Sequence, residues 1–390
     1  MSSARVYLDY AASTPVDERV VQAMLPFFRP GFGNPSSIHG FGQQAQAALE
    51  QARTRVAALL GCSSSEIIFT SGGTESDNLA VRGAALAAQA RLGARHVLTT
   101  PVEHPAVINA CRYLGRYHGF EVELLPVDRF GRVDPDSLRR ALRRDTAIVS
   151  VIHGNNEIGT LNPIREIAAV CREREITFHT DSVQAASQLA LRADELGADL
   201  ISIGAHKFYG PKGVGALYCR SGVDLIPIQP GGGQEDGRRA GTENVALIVG
   251  LAIAFEITDA ERGLHAPRFL SMRHRLTETI PTSVPGAILT GHPEARLPNH
   301  ASFAFEGVDG NRLLAALDLA GFACSSASAC KTGDPEPSSV LLALGLDPAM
   351  ALGSLRVTVG RATTDAGLGE FLDVLPRLVK AQRRIPMAAG

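Results

Sequence analysis

Between residues 43 and 208 the chain switches its apolar rhythm again and again, and this alternation limits the fold more than any other feature. Helix-like runs at 43–60, 75–88, 106–117 and 164–174 are separated by short runs rich in β-branched residues at 67–70, 96–100, 120–127, 147–153, 176–181 and 199–208. A helix repeats every 3.6 residues and a strand every two, so neither kind of segment settles as the other. Strands alternating with single helices build an α/β unit whose sheet is mainly parallel and covered on both faces. Ligands in such sheets sit at the carboxyl ends of the strands.

After GPKGVGALYC (210–219) comes a glycine-rich stretch, 229–244, and then a helix-like run from Val245 that leads out of this first domain. The rest reads as α+β: strands near 286–290 and 300–305, a helix near 310–319, a loop with two cysteines, the strand SLRVTVG and a last helix from Asp365. The expected division is a large domain of residues 15–258 and a small domain of 1–14 with 259–390. No internal repeat or low-complexity linker interrupts it.

With 38 basic and 40 acidic side chains among 390 residues, the formal charge of −2 gives no electrostatic footprint for nucleic acid or an anionic membrane. Small molecules and other proteins are the expected partners. No apolar run approaches the ~20 residues that span a bilayer, and the start of the chain lacks the apolar core of a signal peptide. A cytoplasmic protein is expected, with its six cysteines kept reduced. Cys62, Cys111, Cys171 and Cys219 lie in apolar or helical contexts that suit small buried hydrophobes. No CxxC pair occurs and no histidine shows ligand spacing to a cysteine, so no metal site is expected. That leaves the loop ACSSASACKTG (323–333), where Cys324 and Cys330 lie six positions apart.

Three motifs carry candidate chemistry. In TSGGTESDN (70–78) a strand runs into two glycines and a helix start, which suits an anion cradle of N–H groups and the Thr74 hydroxyl; a plain capping box is an equal alternative. In HTDSVQ (179–184) Asp181 ends a strand, either to hold a protonated ring nitrogen or to cap a helix. In GAHKFYGPKG (204–213) Lys207 closes an apolar strand, either as a buried lysine whose lowered pKa makes it a nucleophile or as an ordinary solvated strand-end charge. Together they match pyridoxal 5'-phosphate, which requires a lysine, an acidic partner for its ring nitrogen and an anchored phosphate.

The chain resembles the class V aminotransferase family, and within it the cysteine desulfurases of the NifS/IscS group. The resemblance runs through YLDYAASTP (7–15), FGNPSSIHGFG (32–42), TSGGTESDN, EH (103–104), NNEIG (155–159), HTDSVQ, HKFYGPKG, RRAGTEN (238–244), SSASAC (325–330) and SLRVTVGR (354–361). It implies the fold type I of pyridoxal-phosphate-dependent transferases, with a mainly parallel seven-stranded sheet in the large domain and a smaller α+β domain. It implies that Lys207 bonds the cofactor, Asp181 pairs with its ring nitrogen, Gln184 meets its ring hydroxyl and His104 stacks on the ring. Gly73, Thr74 and His206 are implied for the phosphate, and Thr242 for the phosphate of a neighbouring subunit in a homodimer. Asn34, Asn156 and Arg356 are implied for the substrate, Arg356 through a bidentate grip on its carboxylate.

The implied reaction converts L-cysteine to L-alanine and leaves the sulfur as a persulfide on Cys330, for delivery to an acceptor protein in iron–sulfur cluster assembly or thiolation. Small residues at 325–329 and Gly333 suit a delivery loop. Cys324, at the end of LAGFA, reads as a buried hydrophobe. One position departs from the family: Gly204 stands where members carry a serine, which removes one hydroxyl donor to the phosphate unless water or Ser202 compensates. Some members continue into a longer tail that docks the scaffold, whereas this sequence ends at RRIPMAAG, which leaves the acceptor open. Other chemistry on the same fold, such as transamination or selenocysteine lysis, is the nearest rival.

Overall fold

The computed structural model describes residues 5–326 and 336–383. Its centre is a seven-stranded sheet. In spatial order the strands are Ile67–Thr70, Gly215–Cys219, Leu200–Gly204, Thr177–Asp181, Thr146–Ser150, His96–Thr99 and Glu121–Leu124. Gly215–Cys219 runs antiparallel to both of its neighbours, and the other strand pairs are parallel. The sequence marks this reversal only by the short GPKG connection. A parallel crossover needs a dozen or more residues, and too few separate 204 from 215.

The covering helices follow from their apolar spacing. In Gly40–Leu60 the buried residues Ala45, Leu49, Ala52, Val56 and Leu60 recur every three or four positions, and Gly61 ends the helix at φ +67°. The stretch expected as one helix at 75–88 runs from Gly73 to Leu92 with a wider turn at Leu79–Gly83.

The long helix Val245–Ser283 changes partners along its length. Ile248, Leu251, Ala252 and Phe255 join the core against the large sheet, whereas Phe269, Met272, Leu276 and Ile280 join a second core. That second core also takes Leu8, Phe303, Leu355 and Phe371. It is built on the antiparallel strands Ala287–Leu289, His300–Phe305 and Ser354–Thr358. A two-residue strand, Val6–Tyr7, pairs in parallel with Phe322–Ala323, so the start of the chain lies beside the root of the cysteine loop. Among the described residues no helix is long and apolar enough to cross a membrane.

Candidate active site

Asp181 at its strand end, the turns that follow the strands ending at Thr70 and Gly204, and Ala11 and Ala12 enclose a cavity of about 240 Å³. Gly73, Thr74, Asp77, His104, Asn156, Asp181, Gln184, His206, Lys207 and Arg356 all line it. Of the residues expected from sequence, Asn34 and Thr242 do not line it, and Cys330 lies outside the described residues.

At one end the chain turns from Thr70 into the helix at Gly73. No side chain caps that helix start, which disposes of the capping-box alternative. Glu75 instead reaches back to the amide of Ser71 at 2.7 Å and pairs with Arg239 at 2.7 Å. Gly73 is required by close approach, since a Cβ there meets Val183 Cγ2 at 2.7 Å. Arg239 and a buried Arg53–Glu235 pair at 2.7 Å tie down the glycine-rich stretch that carries Thr242.

At the other end Asp181 is 4% exposed, and its Oδ1 accepts from the amide of Val183 at 2.9 Å. The capping-type bond and the cavity position therefore coexist. Gln184 Nε2 donates to the carbonyl of Ala11 at 2.8 Å. His104 begins the helix Pro105–His118, with Nδ1 accepting from the amide of Ala106 at 3.2 Å. That bond places the proton of the neutral ring on Nε2. Burial holds the His104 pKa below the usual value, with Asp181 opposing and Lys207 reinforcing the shift. His206 is pushed down to about 4 by burial, Lys207 and Lys212, so it meets its surroundings as a neutral ring.

Lys207 does not close the strand, as the sequence pattern predicts. The strand stops at Gly204, and Lys207 ends a tight turn over Ala205–Lys207. The extra turn carries Nζ across to the N-terminal segment, where it donates to the carbonyls of Ala11 at 2.7 Å and Ala12 at 2.8 Å. Burial lowers its pKa to about 8; Arg356 reinforces the shift, and Asp181 and Asp9 oppose it.

Arg356 projects from the strand Ser354–Thr358 into the cavity. Its NH1 donates to the carbonyl of Asn156 at 2.9 Å and its NH2 to Asp9 Oδ1 at 2.8 Å, while Nε is buried without a partner. The arginine thus braces a carboxylate of its own chain and still holds donors toward the cavity. Asp9, Ala11 and Ala12 escape periodicity arguments altogether; the signal for them is the run of small residues after Asp9 in LDYAAS.

The residues fit pyridoxal phosphate. A lysine amine, a buried carboxyl, a neutral imidazole and an uncapped helix start with Gly73 and Thr74 all line the one cavity. Lys207 would bond the cofactor, Asp181 would face its ring nitrogen, and the cofactor would supply the electron sink.

Comparison with known proteins agrees with this site. The model of the Aminotransferase class-V family matches residues 6–371. The chain belongs to that family, whose enzymes depend on pyridoxal phosphate. It is 47% identical over 380 residues to cysteine desulfurase IscS of Dictyoglomus turgidum, covering 97% of this chain and 96% of that protein. With cysteine desulfurase IscS 1 of Archaeoglobus fulgidus it shares 45% over 377 residues, 97% of each chain. A solved NifS-like protein superposes with a TM-score of 0.90 at 37% identity, covering 97% of this chain and 100% of that one. SspA in complex with cysteine gives 0.79 at 34% identity, over 91% and 98%. Its branch of the family is that of the cysteine desulfurases.

Gly204 leads to a first expected result. Ser202 does not make up for the missing hydroxyl, because it is fully buried and its Oγ lies 3.0 Å from His179 Nε2. A Cβ at 204 lies 3.4 Å from the Gly73 nitrogen and 3.5 Å from Val183 Cγ1, which is ordinary contact, so a serine fits beside the cradle. Gly204→Ser is expected to tighten cofactor binding about tenfold, the worth of one hydrogen bond to a charged group. Equilibrium dialysis against pyridoxal phosphate checks it, and unchanged affinity counts against a phosphate contact at this position.

Proposed function

We propose a division of labour for the residues of this pyridoxal-phosphate-dependent cysteine desulfurase, which converts L-cysteine to L-alanine and transfers the sulfur to a cysteine of its own. The observation that carries the proposal is the Lys207 amine, shifted to about 8 in the cavity that also holds Asp181, His104 and Arg356. Lys207 would bond the cofactor and serve as the base for the substrate's α-proton. Asp181 would hold the ring nitrogen, His104 would pack on the ring, and Gln184 would reach the ring hydroxyl. Gly73, Thr74 and His206 would hold the phosphate. Arg356 and Asn156 would orient the substrate carboxylate, with Asn34 contributing from the second copy of a homodimer. The Cys330 thiolate then attacks the substrate sulfur: an S–S bond forms, the C–S bond breaks, and its electron pair returns to the carbon that becomes the alanine methyl.

A homodimer belongs to this reading. Thr242 and Asn34 lie exposed, away from their own cavity, and Phe32, Ile38 and Phe41 expose 67%, 92% and 54% of their surface near Asn34. Apolar residues so placed suit burial against a second copy. The proposed domain boundary near residue 258 falls where the long helix passes from one core to the other. An acceptor protein in iron–sulfur assembly or thiolation completes the proposal, as does operation in the cytoplasm, supported by free thiols at Cys62, Cys111, Cys171, Cys219 and Cys324.

The test is direct: purified protein is incubated with L-cysteine, and alanine and protein-bound sulfur are measured together. Equal yields in the first turnover support the reading, and alanine without bound sulfur sinks it. Arg356→Lys is expected to raise KM for cysteine by about tenfold to a hundredfold, because a point charge does not reproduce the guanidinium fork. An unchanged KM would mean that Arg356 serves only Asp9 and the Asn156 carbonyl of its own chain.

A further inference from the structure

Under the Asp181 end of the cavity lies a buried polar cluster that the division of labour above does not use. Asp77, from the helix Gly73–Asn78, lines the cavity and is 1% exposed. Its Oδ1 is buried with no hydrogen-bond partner. One atom each of Asp77, His104 and Asp181 lie within 4.8 Å of one another. Away from the cavity the Ser202 hydroxyl bonds to Asp77 and lies 3.0 Å from His179 Nε2, and His179 Nδ1 lies 2.8 Å from Ser150 Oγ.

Two carboxyls this close in a water-poor site do not both stay charged. Burial raises the Asp181 carboxyl too, but Asp181 has compensating neighbours that oppose it: His104, the Val183 amide on its Oδ1 and Lys207. Asp77 lacks them. Burial pushes its carboxyl well above the ordinary range and Asp181 and Glu103 add to the shift, with only the Ser202 bond opposing. His179, 3.6 Å from Asp77 Oδ1, is held down to about 3 by burial and is neutral. Glu103 is itself pushed up to about 8 by burial, so it too lacks its charge near neutrality.

We propose that Asp77 is a positioning residue for this reaction: as a neutral acid wired through Ser202 and His179 to Ser150, it leaves Asp181 as the carboxylate that faces the cofactor ring. A second negative charge at Asp77 would draw the ring proton away from Asp181 and divide the interaction between two acids. The inference rests on the assignment of Asp181 to the ring nitrogen.

The experiment compares wild type, Asp77→Asn and Asp77→Ala. Infrared spectra of the cofactor-free proteins near pH 7 are expected to show a neutral carboxyl band in wild type that is missing from Asp77→Asn. Asparagine keeps the shape and neutrality of the acid, so its affinity for pyridoxal phosphate is expected to stay within about threefold of wild type, with the pH midpoint of the bound cofactor's absorption unmoved. Asp77→Ala is expected to bind about tenfold more weakly, because it opens a void beside Asp181 and leaves the Ser202 hydroxyl with His179 alone. No lost carboxyl band, or an asparagine variant that binds as weakly as alanine, shifts the midpoint or fails to fold, overturns the proposal. If wild type bound no pyridoxal phosphate, the cofactor assignment would fail instead; the infrared band, read without cofactor, still decides the state of Asp77.

Discussion

Lys207→Ala is expected to make alanine from cysteine about a thousandfold more slowly than wild type, even with pyridoxal phosphate in excess. The substitution removes the amine that would bond the cofactor and the base for the α-proton, and among the described residues no other lysine lines the cavity. The same residue sets a pH dependence. Burial lowers its pKa to about 8, so below that value most of the amine is protonated and not nucleophilic. Capture of pyridoxal phosphate by the cofactor-free protein is expected to speed up by about tenfold per pH unit below 8 and to level off above it. Stopped-flow absorbance checks both statements. A rate still rising steeply through pH 10 would show that the amine titrates as an ordinary lysine.

The second large effect is expected at Cys330, and its argument runs through the other cysteines. Each of the five in the described residues is a poor thiolate. Burial pushes Cys62 and Cys111 up to about 12 and Cys219 up to about 11, and raises Cys171 and Cys324 as well. Since the thiolate is the nucleophile, none of them suits attack on sulfur near neutral pH. Cys330→Ala is therefore expected to reduce protein-bound sulfur to the level of a cysteine-free control. Cys324→Ala should keep sulfur transfer and lose only about 1 kcal/mol of stability, as fits a side chain packed on the second core. Mass spectrometry of the protein after one turnover separates the two outcomes, and a persulfide found on Cys324 would reverse the assignment.

What could be read from the sequence follows what is local. The strands and helices around the large sheet announce themselves by period, and Asp181 comes with the strand that it ends, with Gln184 three residues on. The reversed strand at Gly215 and the added turn before Lys207 depend on a few residues of turn geometry, too short for any period to register. The long helix defeats its own pattern, because its first half faces one core and its second half another, and the apolar stripe shifts along its length. Asp77 carries no mark in SDN that separates it from a surface acid; only tertiary packing buries it. Asp9, Ala11 and Ala12 act through contacts that span most of the chain, which no local window contains.

Those contacts also fix an order of events during synthesis. Leu8 donates to the carbonyl of Ala323 and accepts from the amide of Thr358, and Ala11 donates to the Thr358 hydroxyl. The ribosome delivers residues 8–12 well before 354–358, so the strap that receives Lys207 waits unanchored while the large sheet is translated. A nascent chain stalled before residue 354 would carry the lysine and the phosphate turn but neither Arg356 nor the clasp on the strap. The grip on the substrate carboxylate therefore forms after the residues that would hold the cofactor, because Arg356 and the anchor of the strap arrive together on the strand Ser354–Thr358.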